Sequence, residues 1–598
     1  QRIEIVRGAA GLQYGSQFGG LLNFKFKEGP EDKKVEFNTY QTIGSYKLFN
    51  SFNSLGGTVN KSGYYGFFQY KTLQGWRPNS DLDQQTGYLS FAHKFNPFFK
   101  IKSDFTSMSY IAHQPGGLTD AQFNQDPSQS NRSRNWFQVN WRIGSISLDY
   151  RINSSFKINN RTFFLKGNRD ALGNLERIDR LDDPTINRNL IKDEYNNWGN
   201  EIRAIFHYEF FGNKSILLIG NRYYEGLTNS AQGDGTVNDD ADFNFINAEM
   251  PDDSEFRFPS RNISFFAENI FNISKKFSIT PGIRYEFIET KASGYYTNQV
   301  LDFAGNLLQD TTIFEQRIDP RNIVLIGLGL SYRFKQQVEL YSNFSQNYRG
   351  INFTDIRIDN PSLQVDPDIS DESGFNIDLG IRGELNKKFA FDGSLFFLSY
   401  EDRIGKSLVT NPDPNFGGLI SRTITFRTNI GDANIYGFEA YLQYDFMKSN
   451  DKVNDGKVNV FANMAYIKSI YQNITSGVLE GVQSGNEVEL VPTLNTKIGL
   501  NYKKGPFKSS LLYTYVSDQF SDAANTDPAT STAIQGVIPS YGVADASFNY
   551  KVNSLSVDLG VNNIFDSSYF TRRATGYPGP GIIPAEPRTF YLTVGYEL

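Results

Sequence analysis

Four arginines stand in polar segments of an otherwise acidic chain: Arg349 and Arg357 in one, the adjacent Arg572 and Arg573 in another. Over 598 residues, 65 Asp and Glu oppose 59 Lys and Arg, a net charge of -6. A guanidinium meets a carboxylate with two parallel N–H bonds, so such arginines suit capture of an anion, a carboxylate-bearing one above all. His113 and Gln114, at the start of Ala112-His-Gln-Pro-Gly-Gly117, are further polar candidates. Tyr348 and Tyr577 accompany the arginines, either lining the same recess or serving as interface aromatics.

Other chemistries lack their residues. No nucleophile–base pair, phosphate-cradling loop or zinc cluster is present, and the three histidines, His93, His113 and His207, have no metal-ligand spacing. The best match to a calcium loop, Asp234-Gly-Thr-Val-Asn-Asp-Asp-Ala-Asp242, lacks the closing bidentate glutamate and reads as a solvated acidic loop. The sequence thus implies no enzyme, no resident metal and no cofactor. The acidic balance leaves no footprint for nucleic acid. The chain has no cysteine, which fits a polypeptide that crosses an oxidising compartment unfolded.

The elements that must carry these loops are strands. Aromatic residues make up 15% of the chain, while mean hydropathy is -0.44. The longest nearly uncharged apolar stretch, 323–332, is roughly half the ~20 residues of a membrane-spanning helix. Aromatic richness with a polar average fits strands that alternate lipid-facing and lumen-facing side chains. In Leu555-Ser-Val-Asp-Leu-Gly-Val-Asn562, leucines and valines take one face and polar residues the other, and Phe375-Asn-Ile-Asp-Leu-Gly-Ile381 repeats the split. The last run places Phe590, Leu592, Val594, Tyr596 and Leu598 outward. Short turns alternate with long polar segments, including 290–319 and 347–371. The pattern predicts an all-β, transmembrane antiparallel barrel of about 22 strands with long extracellular loops. A soluble propeller would show a regular motif per blade, which is missing.

The first residues differ. Arg2-Ile-Glu-Ile-Val-Arg-Gly-Ala-Ala-Gly-Leu-Gln-Tyr-Gly-Ser-Gln-Phe-Gly-Gly-Leu-Leu-Asn-Phe-Lys25 resembles the end of the plug domain of TonB-dependent outer-membrane receptors, with Ala9 where that family usually has proline. Leu559-Gly-Val-Asn-Asn-Ile-Phe-Asp566 and Arg588-Thr-Phe-Tyr-Leu-Thr-Val-Gly-Tyr-Glu-Leu598 resemble the family's last two strands, with Leu598 replacing the usual terminal Phe or Trp. Asn352-Phe-Thr-Asp-Ile-Arg-Ile-Asp-Asn-Pro-Ser-Leu-Gln-Val-Asp-Pro367 and Tyr569-Phe-Thr-Arg-Arg-Ala-Thr-Gly-Tyr-Pro-Gly-Pro-Gly581 look like the ferric citrate receptor branch.

The resemblance implies residues 1–30 as the C-terminal end of a plug and 31–598 as the barrel, with the TonB box and the rest of the plug upstream. It implies a Gram-negative outer-membrane location among lipid and lipopolysaccharide, TonB as energising partner, and a ferric chelate such as ferric citrate as ligand. The arginines above, with His113, Gln114, Tyr348 and Tyr577, are the ligand-binding candidates. It also implies a latch in which Arg7 of the plug meets Glu372 and Glu439 of the wall; the alternation independently turns both carboxylates toward the lumen. A TonB-driven oligosaccharide importer and a passive porin are the alternatives, the porin opposed by the plug-like N-terminus.

Overall fold

The computed structural model describes the whole chain except residues 1, 7, 16, 17, 19, 176, 177, 179, 180, 302–306, 336, 357–362, 413–420, 447–455, 475–478, 577 and 578. The period-two segments become the staves of a closed antiparallel barrel of 22 strands, to which the short strand Leu363–Val365 adds a parallel pairing. Closure joins the first stave, Glu36–Gly44, to the last, Thr589–Glu597, with Leu592 opposite Ile43. Among the described residues, no helix is long and apolar enough to cross a membrane.

The register is the one the alternation predicts. Phe590, Val594, Tyr596 and Leu598 are exposed on the outer wall, while Thr593 faces inward and bonds Thr42 at 2.8 Å. On the other side of the sheet seam, Ile377, Leu379 and Ile381 are likewise exposed. Short turns close one end: Phe211 and Gly212, both with positive φ (49° and 71°), form a two-residue turn whose twist matches the flanking strands.

The opposite end departs from the sequence reading. Segment 290–319, expected as a loop, is mostly strand: Phe277–Leu301 and Leu307–Lys335 pair in one long hairpin. Beyond the lipid belt both faces of a strand meet polar surroundings, so its sequence loses the apolar face that marks a stave. The remaining loops pack on one another, with Leu118, Ala533, Ile538, Phe570 and Ile582 forming a small buried cluster between three of them.

Candidate functional site

The N-terminal segment lies against the inner wall. Strands Arg2–Val6 and Leu21–Lys25 pair with each other, and the 3-10 turn Gly8–Tyr14 docks along the consecutive staves from Ser254–Asn272 to Glu372–Leu385, most closely on Leu307–Lys335. Inward-facing charges grip its backbone. Arg284, 1% exposed, donates to the Leu12 carbonyl at 3.0 Å, to Ser264 Oγ at 2.8 Å and to Glu286 at 2.8 Å. The Glu268 carboxylate accepts the Gln13 N–H at 3.0 Å. The Arg203 guanidinium lies 4.8 Å from the Tyr14 ring centroid, and Arg222 donates to the Tyr14 carbonyl at 3.5 Å. Leu12 is buried against Gly282, where an added Cβ would approach its Cδ1 to 3.1 Å. Sequence reading singled out none of these wall residues. Their only signal was a charge at inward parity in a strand, which many solvated lumen residues share.

A second contact lies farther round the same side of the wall. The Phe18 ring stacks on Tyr400 with centroids 4.0 Å apart and 14° between planes. Around it the wall is tightly paired. Arg349 reaches Asp355 at 2.6 Å and Glu372 at 3.4 Å, and Glu372 accepts the Ile404 N–H at 2.7 Å. Tyr348 donates to Asp371, which also faces Arg321 at 2.7 Å. Arg403 and Tyr471 both bond Glu489, at 2.6 and 2.8 Å. The short helix Phe353–Ile356 carries Asp355 into this network and sets Phe353 against Tyr195 and Phe258 of the staves Arg188–Phe210 and Ser254–Asn272.

Above the lumen, buried arginines fasten loop to loop. Arg134, 2% exposed, forks onto Asp182 and also caps the carbonyls of Asp183, Ile186 and Val237. Arg188 is fully buried and donates to the Thr236 and Asp240 carbonyls. These guanidiniums use several fixed donors to satisfy loop carbonyls that have no strand partner, which is the cost a packed loop must meet. Burial of Asp182 pushes its carboxyl pKa up, but the bonds from Arg134 and Asn174 together with the charges of Arg134 and Arg132 outweigh it and hold the group below the ordinary value.

Residues 11–564 match the family model described as TonB dependent receptor-like, beta-barrel. The chain belongs to the TonB-dependent receptor family. That family consists of outer-membrane receptors and transporters of Gram-negative bacteria, and the chain is placed there with it. Among solved structures, the ferric citrate transporter FecA in its unliganded form superimposes with a TM-score of 0.80 at 21% identity, covering 100% of this chain and 83% of that one. The siderophore receptor PiuA of Acinetobacter baumannii gives 0.78 at 14% identity, covering 100% and 86%. Both show the fold. Among curated proteins, the ferric-pyoverdine 358 receptor of Pseudomonas putida is 20% identical over 630 residues, 100% of this chain and 70% of that protein. The hemin receptor of Yersinia enterocolitica is 23% identical over 275 residues, 45% of this chain and only 35% of that protein.

In this TonB-dependent receptor the expected ligand residues are not gathered into one free cluster. Arg349 faces the lumen but is already paired, and Tyr348 is bound to Asp371. Arg572 is exposed, whereas the Arg573 guanidinium is 2% exposed and forks onto Asp120. His113 is held at both ring nitrogens, by Asp81 at 3.0 Å and the Ser133 carbonyl at 2.8 Å, and stacks on Trp136. Gln114 donates its N–H to Asn135 at the loop base. Arg357 and Tyr577 lie outside the described residues, as does Arg7 of the expected latch. Glu372 has Arg349 as its described cation, and Glu439 has inward parity, opposite the exposed Tyr436, Leu442 and Tyr444.

Proposed function

We propose that this receptor imports a ferric chelate of carboxylate type, ferric citrate or a close analogue, with TonB supplying the work of release. The observation that carries the reading is the N-terminal segment seated across the lumen, with Phe18 stacked on Tyr400 of one wall and Phe26 on Tyr88 of the wall half-way round the barrel. A barrel obstructed in this way conducts by rearrangement and not by free diffusion, which argues against a passive porin. In the proposal residues 1–30 are the end of the plug, 31–598 form the barrel, and Arg7 latches to Glu439 and Glu372. Lipid and lipopolysaccharide surround the wall, and nucleic acid has no part. The resemblance to the ferric citrate branch and the ferric-pyoverdine and siderophore receptors above support the ligand class.

Of the candidate arginines, Arg572 is exposed and Arg349 partly so, with Arg357 beside the latter in sequence. Arg573, His113 and Tyr348 act here by holding the loops and wall that present them. The test is uptake of radioactive iron as ferric citrate in cells lacking every other iron receptor. Uptake that requires this full-length receptor and stops when the proton gradient is collapsed supports the proposal. Gradient-independent entry overturns it.

A further inference from the structure

The outer wall of this barrel carries a polar cavity just beyond its outward aromatics. On the staves Trp136–Arg151, Phe156–Gly173 and Arg188–Phe210, even-numbered residues face outward, as the exposure of Ile146, Phe164, Trp198 and Ile202 shows. Phe164 and Trp198 lie opposite each other, and Trp198 contacts Tyr223 on the next stave at 5.2 Å between centroids. Such a cluster of outward aromatics marks a membrane interface. It stands well away from the short-turn end, where Phe206 and Phe210 form the other aromatic group. The strands then continue for several residues outside the membrane.

Directly beyond the aromatics, one pleat or about 7 Å farther out, the outward row is Arg142, Lys166 and Asn196. The next row is Asn140, Asn168 and Glu194, and above it stand Gln138, Asp170 and Lys192. These rows line a cavity of about 930 Å³, roofed by Phe243 and Asn244 of the neighbouring loop. The Lys192 amine donates to the Phe243 carbonyl and fixes the roof. Asp170 is 2% exposed; its Oδ2 accepts from Asn168 at 2.6 Å, while Oδ1 is buried with no hydrogen bond among the described residues. Arg142 and Lys166 are exposed, and neither pairs with a carboxylate among the described residues.

The arrangement is graded. Two uncompensated cations sit at headgroup level, and amides and carboxylates sit above them, away from the membrane. Guanidinium and ammonium recognise phosphate, while amides and carboxylates take sugar hydroxyls. We propose that this cavity binds the headgroup of a phosphorylated glycolipid of the outer leaflet, with Arg142 and Lys166 on its phosphate and Asn140, Asn168 and Asp170 on its sugar. The order of the rows matches such a lipid, whose acyl chains lie beside Phe164 and Trp198, whose phosphate comes next and whose sugar extends outward. The site is separate from the lumen and does not depend on what the receptor imports.

The experiment uses the full-length receptor, purified and stripped of bound lipid, with native mass spectrometry reading lipid retained per barrel. The probes are bisphosphorylated lipid A, enzymatically dephosphorylated lipid A and phosphatidylglycerol. Bisphosphorylated lipid A is expected to bind more tightly than either comparator. Arg142→Ala/Lys166→Ala is expected to weaken it on the order of tenfold or more, one decade being about 1.4 kcal/mol, and Arg142→Lys/Lys166→Arg to restore most of it. Heat-modifiable gel mobility reports that the double variant is folded. Equal affinity of parent and double variant overturns the site. So does phosphatidylglycerol binding as tightly as bisphosphorylated lipid A, which would reduce the patch to a general anion surface.

Discussion

Arg573 and Asp120 face each other through two bonds, 2.7 and 2.9 Å, although 453 residues separate them in sequence. The guanidinium also donates to the Val537 and Ala533 carbonyls, so one side chain fastens three loops. A pair of adjacent loop arginines reads from sequence as an anion trap; here the second of the two is occupied by its own protein. Asp120→Ala leaves that guanidinium buried without its carboxylate. Because the Asp120 side chain is 42% exposed, the loss should fall near the range for a bond to a charged group, about 1.5–3 kcal/mol. Hydrogen exchange over 517–540 and 563–588 should accelerate about tenfold or more, with barrel amides unchanged.

The wall residues under the N-terminal segment should govern how firmly it is held. Arg284→Ala removes the bond to the Leu12 carbonyl and strands Glu286, a loss of about 3–5 kcal/mol for a broken buried pair. Glu268→Gln keeps an acceptor for the Gln13 N–H and should be nearly silent, whereas Glu268→Leu should not. In the full-length receptor the graded outcome is entry of large antibiotics: high for Arg284→Ala, intermediate for Glu268→Leu, unchanged for Glu268→Gln.

Acid should loosen the loops before the barrel. Asp182 lies outside the membrane, and against the opposing effect of burial its bonds to Arg134 and Asn174 and the neighbouring guanidinium charges keep its pKa below the ordinary 3.8. A carboxyl lowered in the folded state contributes stability that is complete above its unfolded value and lost as pH falls through the folded one. Pepsin cleavage within 174–187 should therefore stay negligible at pH 5 and rise steeply below about pH 3.8, the upper edge of that window. Asp182→Asn should abolish the pH step and leave the loop open throughout.

The last stave tests the register. Val594→Lys puts a cation in the lipid belt and should destabilise the folded barrel by about 2–4 kcal/mol near the midplane. Thr593→Lys, one residue away, points into the lumen beside Thr42 and should cost far less. Urea unfolding in lipid vesicles separates the two, and equal costs would show the stave slipped by one residue.

These contrasts also mark what the sequence carried. The lipid face of 589–598 was legible because alternation is a local property, and the N-terminal resemblance because its glycine-punctuated motif is contiguous. The strand extension over 290–319 was hidden, since outside the membrane neither face of Phe277–Leu301 needs to be apolar. The jobs of Arg134, Arg188 and Arg573 were hidden too, because each partner lies tens to hundreds of residues away and is chosen by loop packing. Glu268 and Arg284 share inward parity with Phe266, so alternation alone could not mark that strip as a docking face.

The central claim is that this receptor takes up a carboxylate-type ferric chelate, and titration of purified full-length receptor measures it most directly. Ferric citrate, a ferric catecholate and a series of oligosaccharides are compared by calorimetry. The account predicts saturable binding of ferric citrate, weakened in Arg349→Ala/Arg572→Ala and undetectable for the sugars. Tight binding of an oligosaccharide with none of ferric citrate would contradict it.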